Sequence, residues 1–135
     1  MIERSSSSAR VPVQGEGGGL VGINNGSIVQ SFARGTAGGG SHSHVGGLVG
    51  YNSGTITQSY ATGSALGETR GGLADSNSGT IQESFSTTEI AAFPPFSSHG
   101  GVVGSNTGTV ASNVFWDTGT SGTLDGGPGV SARTA

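Results

Sequence analysis

Four segments of the chain align with one another without gaps, and this internal repetition constrains the fold more than any other feature. They read GGLVGINNGSIVQSFARG from Gly18, GGLVGYNSGTITQSYATG from Gly46, GGLADSNSGTIQESFSTT from Gly71 and GGVVGSNTGTVASNVFWD from Gly100. Successive starts are 28, 25 and 29 residues apart while the units keep their length, so the differences fall in connectors spanning about 36–45, 64–70 and 88–99. Units of fixed length joined by variable connectors describe a stacked array with loops on one side.

Certain columns recur in every copy. Gly-Gly opens each unit and an aliphatic residue follows: Leu20, Leu48, Leu73 or Val102. An Asn comes next (Asn24, Asn52, Asn77, Asn106), then a Gly two positions on (Gly26, Gly54, Gly79, Gly108), and then Ile28, Ile56, Ile81 or Val110. Asn-x-Gly is turn chemistry, because Asn tolerates the left-handed backbone region and Gly enters it freely. Each unit therefore reads as a short strand, a tight turn and a second strand rich in β-branched and aromatic residues.

Two all-β architectures fit. In a parallel β-helix or β-solenoid of about four coils, like residues lie above one another at about 4.8 Å. In an array of antiparallel hairpins, each unit folds back across its Asn-x-Gly turn. Stacking is the better reading, since it alone gives the Asn a reason to recur: identical amides in register can hydrogen-bond along a ladder. The solenoid then occupies 18–117, with 1–17 as an N-terminal segment or cap and 118–135 as a C-terminal tail or cap. Gly-Gly falls where backbones pack closely at a corner. The spacing leaves open whether Phe32, Tyr60 and Phe85 or the small residues beside them are buried. Ala74-Asp75 replaces Val-Gly in the third copy, so its first strand is expected to be the weakest.

Composition limits what such a chain does. Only 31% of residues carry an apolar side chain and 28 are Gly, which brings no side chain to a core, so the core must be thin and repeated. Charged residues make up 10% with a net charge of −3, there is no Lys, and the five Arg are scattered. No basic patch exists for nucleic acid. No apolar run approaches the about 20 residues of a membrane span, and the opening MIERSSSSARVPV lacks the apolar stretch of a secretory signal. The absence of Cys excludes disulfides and thiolate metal sites.

Candidate chemistry is sparse. Gly17-Gly18-Gly19-Leu20-Val21-Gly22 has the G-x-G-x-x-G form, but no amphipathic helix follows it, and the same glycines recur as repeat punctuation. His42 and His44 flank Ser43 on an extended segment, and His99 lies in a later connector. Two coils separate the connectors of His44 and His99, about 9–10 Å, too far for one metal with bonds near ~2 Å. The carboxylates are dispersed; Asp75 and Glu83 share a repeat but lie on opposite sides of its turn, so the pair that glycoside hydrolysis needs is not evident. Thr55-Ile56-Thr57 has no matching Thr-x-Thr in the other copies, which weakens an ice-binding reading. Asn25-Gly26-Ser27 is a glycosylation sequon in form, explained by its turn. No catalytic, cofactor or metal residues are expected. Phe115 and Trp116 are read as a cap over the last coil or as a contact with another copy.

The repeats resemble the GLUG motif, found in arrays within large bacterial and archaeal surface proteins, including filamentous-haemagglutinin-like adhesins. Copies one and two follow GGLVGxNxGxIxxSyAxG closely, the resemblance runs from residue 18 to about 127, and Phe115-Trp116-Asp117-Thr118-Gly119-Thr120-Ser121-Gly122 is similar to the FWDTxxSG stretch that follows the last repeat of such arrays. The resemblance implies a β-solenoid scaffold, secreted or anchored at the cell surface, with no catalytic residues to carry over. The expected function is a non-catalytic structural or adhesive module whose connectors (Ser41 to Val45, Ala65 to Arg70, Glu89 to His99) meet glycan or protein. The alternative is a subunit that stacks end to end into an extracellular filament; a carbohydrate-active β-helix enzyme and an ice-binding solenoid are lesser alternatives.

Overall fold

The repeat columns lie directly above one another. In the computed structural model, which describes residues 1–40, 42–90, 99–123 and 125–130, the chain is all-β, and its parallel strands stack as a β-solenoid of about four turns. Asn24, Asn52, Asn77 and Asn106 are register partners in succession, as are Ile28, Ile56, Ile81 and Val110. No hairpin pairing occurs among the described residues; every strand pair is parallel and joins one coil to the next.

Each coil has four sides. The Asn side holds Val21–Asn24, Val49–Asn52, Ala74–Asn77 and Val103–Asn106. The Ile side holds Ile2–Glu3, Ser27–Val29, Thr55–Thr57, Thr80–Gln82 and Thr109–Val110. The aromatic side includes Ser6–Ser7, Phe32–Ala33, Tyr60–Leu66, Phe85–Ile90 and Phe115–Trp116, with Val11–Pro12 and Thr36–Gly38 continuing it. The Gly side holds Glu16–Gly18, His44–Gly46, Thr69–Gly71 and His99–Gly100.

The Leu and Ile columns fill the main core, where Leu48, Leu73, Val102, Ile28, Ile56 and Ile81 are fully buried. Leu20 and Val21, at one end, are only partly buried against it. A second, smaller core of Val13, Ala37, Val45, Ala65 and Ile90 lies under the connectors. The first two connectors are therefore not simply loops: Thr36 to Gly38 pairs with Ser64 to Leu66, and His44 to Gly46 with Thr69 to Gly71. The length difference between these two connectors falls between Gly38 and His44 in one coil and between Leu66 and Thr69 in the next. Part of the connector from Glu89 to His99, and Ser41, lie outside the described residues, as do parts of the tail.

Residues 1–17 form a partial coil in register with the first repeat. Ile2 pairs with Ile28, Ser6 with Phe32, Val11 with Ala37 and Glu16 with His44. The third copy keeps a four-residue first strand, Ala74–Asn77, paired on both sides, so the Ala-Asp replacement does not shorten it.

The left-handed residues also differ from expectation. Positive φ falls on Arg4, Gln30, Gln58 and Glu83 (48°, 51°, 51° and 48°), at the bend between the Ile and aromatic sides, and not on the Asn-x-Gly glycines. At Gly54, Gly79 and Gly108 glycine is needed for close approach. A Cβ at Gly54 would overlap the Gly26 carbonyl, and one at Gly79 the Gly54 carbonyl. The Gly-Gly corner works similarly: a Cβ at Gly46 would meet the Val49 carbonyl, and one at Gly47 the Gly72 carbonyl and, at 3.1 Å, the Cβ of Ala61.

Candidate functional site

The most highly organised polar feature is the Asn column. Asn24 Nδ2 donates to Asn52 Oδ1 at 2.7 Å, Asn52 Nδ2 to Asn77 Oδ1 at 2.8 Å, and Asn77 Nδ2 to Asn106 Oδ1 at 2.8 Å. The same Nδ2 groups reach the carbonyls of Gly26, Gly54 and Gly79 two residues on. Asn52 is wholly enclosed and Asn77 nearly so. Carboxamides suit this place because each supplies a donor and an acceptor along the stacking axis.

Two further ladders run beside it. In the Ser column the Ser5 amide donates to Ser31 Oγ, the Ser31 amide to Ser59 Oγ and the Ser59 amide to Ser84 Oγ at 3.1–3.2 Å. Outside, at the left-handed bend, Arg4 bonds to Gln30, Gln30 to Gln58 and Gln58 to Glu83. The Ile-x-x-Ser spacing carried this signal, and it is present in Ile2-Glu3-Arg4-Ser5 as well.

The inward residues of the aromatic side are small: Ala33, Ala61 and Ser86, each about 1% exposed. The rings point outward. Phe32 and Tyr60 stack with centroids 4.8 Å apart and planes 3° apart, Tyr60 and Phe85 at 4.9 Å and 5°, and the Arg34 guanidinium lies 5.0 Å from the centre of the Phe32 ring. Phe85 and Phe115 border an open groove of about 250 Å³ with Ser86, Thr87, Trp116 and Asp117.

Phe115 and Trp116, grouped in the sequence as cap or assembly contact, have separate fates. Phe115 is 40% exposed and continues the outward row. Trp116 takes the inward place of Ser86, is 4% exposed, and donates from Nε1 to the Thr123 carbonyl at 3.3 Å. Its indole occupies the space that side chains at Gly101 and Gly126 would need. The chain's own tail completes this closure. Asp117 caps the short helix Thr118–Ser121, and the amides of Val102 and Val103 donate to the Gly126 carbonyl at 3.0 and 3.1 Å.

One small group of titratable residues lies in the crease between the Asn and Gly sides. His44 Nδ1 lies 2.6 Å from Thr69 Oγ1 and 3.8 Å from Asp75 Oδ2. Burial pushes the Asp75 carboxyl above its ordinary range and Glu16 adds to this, while bonds from Thr69 and Ser76 and the nearby His44 oppose it. Asp75 Oδ1 is buried without a hydrogen-bond partner, and so is Nε of Arg70, whose Nη1 donates to the Gly67 carbonyl at 3.0 Å. This is not a nucleophile relay, since hydroxyl and carboxylate approach the same ring nitrogen and a relay uses both. Among the described residues, no three His, Asp or Glu side chains gather where one metal ion would be held. No helix among them is long and apolar enough to cross a membrane.

Fold and ladders together define a parallel β-solenoid built from a short Gly- and Asn-marked repeat. Residues 41–65 match the family model of the GLUG motif, so this is a GLUG-motif-containing chain. No curated protein and no solved structure matches it.

Proposed function

We propose that the chain is a non-catalytic repeat module of a surface protein, a stiff support that presents its outer face for adhesive contact outside the cell. The observation that carries this reading is where the polar side chains go. Asn and Ser columns bond along the stacking axis, coil to coil, so the polar side chains of these two buried columns are committed to the stack. The outward row of Phe32, Tyr60, Phe85 and Phe115 is the face offered for contact with glycan or protein, since aromatic rings supply contact area at low entropic cost. The GLUG match supports the assignment to a surface protein. Capping of Trp116 by the chain's own tail favours a module over an end-to-end filament through that residue. The test is labelling of intact source cells with an antibody raised against this chain. Labelling that is lost after protease treatment of intact cells is expected; labelling only after permeabilisation overturns the reading.

A further inference from the structure

Two residues past each outward ring stands a second outward column: Arg34, Thr62, Thr87 and Asp117. Thr62 and Thr87 are register partners, Arg34 follows the Ala33–Ala61 pair, and the Asp117 amide donates to the Ser86 carbonyl at 3.0 Å. The column therefore changes sign along the stack. It begins with a guanidinium and ends, three coils on and about 14–15 Å away, with a carboxylate. At the first of these ends the chain supplies its own cation to the row, since the Arg34 guanidinium lies 5.0 Å from the centre of the Phe32 ring, within the range of a cation–π contact.

The carboxylate end differs. Among the described residues the run of stacked rings stops at Phe85, whose register partner Phe115 does not join it. The two rings, each about 40% exposed, border the groove of about 250 Å³ together with Thr87 and Asp117. Both neighbours of Phe85 along the axis, Tyr60 and Phe115, are in place, so the groove arises within the stack. Bonds from the Thr120 hydroxyl and the Gly119 amide hold the Asp117 carboxyl below its ordinary range. Its oxygens keep lone pairs for further donors. Glu89, the next outward residue after Thr87 on its strand, is also exposed. Arg4, Arg10 and Arg34 belong to the first two coils and Arg70 to the Gly side, so among the described residues no guanidinium neutralises this end.

We infer that this groove is a docking site for an arginine side chain of a protein partner, its guanidinium lying flat against Phe85 and pairing with Asp117. Shape and charge both select that group. Tyr60 covers one face of Phe85 with planes 5° apart, which leaves the other face toward the groove, where a flat group continues the stack. Apolar walls beside an ionised carboxylate favour a cation that gives up water readily. A guanidinium is planar, weakly hydrated and stacks on aromatic faces, whereas the lysine ammonium is compact and strongly hydrated. The contact of Arg34 with Phe32 is the same pairing made within the chain. The inference rests on the outward row being a contact face, though not on where the chain resides.

The test titrates the full chain with the peptide acetyl-Gly-Arg-Gly-amide at low salt and follows the Phe ring protons by NMR. Saturable shifts centred on Phe85 and Phe115 are expected. The same peptide with citrulline, flat but neutral, in place of arginine should bind at least about threefold more weakly. Phe85→Leu should weaken binding about two- to fivefold, while Phe32→Leu, at the far end of the row, leaves it unchanged. Asp117→Asn keeps the helix cap, since Asn caps as well as Asp, and should weaken binding about two- to fivefold, a loss that fades at high salt. Equal binding of the arginine and citrulline peptides, or an equal effect of Phe32→Leu and Phe85→Leu, overturns the proposal. Methyl glucoside shifting these rings where the arginine peptide does not puts a glycan in the groove and overturns it too. Peptide binding without labelling of intact cells supports this site and sinks only the surface location; labelling without peptide binding sinks this site alone.

Discussion

Replacing Asn52 by Ala tests whether the interior ladder holds the coils together. The side chain has no exposed surface. Its removal strips Asn77 Oδ1 of the donor at 2.8 Å and the Gly54 carbonyl of its contact at 3.2 Å. Asn24 Nδ2 loses its best acceptor but keeps the Gly26 and Thr55 carbonyls at 3.4 and 3.3 Å. One buried acceptor left unpaired costs about 1–3 kcal/mol, and the other lost bonds add about 0.5–1.5 kcal/mol. The sum is about 1.5–4.5 kcal/mol, enough to lower Tm by roughly 10 °C in a chain of this size. Asn25, whose exposed carboxamide accepts from Ser53 Oγ at 2.6 Å outside the core, is the control; its replacement by Ala should cost less than ~0.5 kcal/mol. Urea unfolding followed by circular dichroism compares the two. Equal midpoints for Asn52→Ala and Asn25→Ala would refute the argument, because they would show that the enclosed amides contribute no more than a solvated one.

Two further outcomes follow from the closed end and from the crease. Trp116→Ser should destabilise by about 3–5 kcal/mol, as for other buried large aromatics, and should speed amide exchange at Val102 and Val103 under the tail, while Phe115→Ser stays within about 1 kcal/mol; similar losses for both would show that Trp116 is no cap. Because burial raises the carboxyl of Asp75 in the folded state, folding favours its protonated form. Its ionisation therefore costs stability as pH rises through the folded value, and the cost is absent below the ordinary carboxylate range near ~4. Asp75→Asn should accordingly gain on the wild type at pH 7, with the difference shrinking as pH falls toward about 4; a difference independent of pH would rule this out.

The stacking register was legible because the demand it makes is one of identity. An Asn ladder needs Asn at every rung, and a corner closed to a Cβ needs Gly, so both columns stand out without any structure. The partial first coil was harder to see because it lacks the Gly-Gly opening, although Ile2-Glu3-Arg4-Ser5 repeats the Ile-x-x-Ser that follows it in Ile28, Ile56 and Ile81. The connectors misled for another reason. Their lengths differ, and unequal length reads as loop, whereas in the first two the difference falls between Gly38 and His44 against Leu66 and Thr69, and the flanking residues pair in register over a small core. The aromatic residues were ambiguous because either alternate series suits a strand. What decides between them is remote in sequence: the second glycine of each Gly-Gly pair packs against the inward residue, Gly19 on Ala33 and Gly47 on Ala61, leaving no depth for a ring.

That pairing of glycine with a small residue explains why inner and outer faces can diverge independently. Backbone is pressed against methyl groups or hydroxyls inside, so the inward series is held to Ala and Ser as far as Ser86, while in the next coil Trp116 spreads its indole over Gly101 and Gly126. Outside, Phe32, Tyr60 and Phe85 stack at the coil spacing itself, 4.8 and 4.9 Å. They inherit their alignment from the ladders beneath without taking part in them. A solenoid of this kind can therefore alter its outward row, and with it what the surface contacts, at little cost to the stack. A change at an enclosed Asn or a corner glycine has no such freedom, because it is met by the backbone of the next coil.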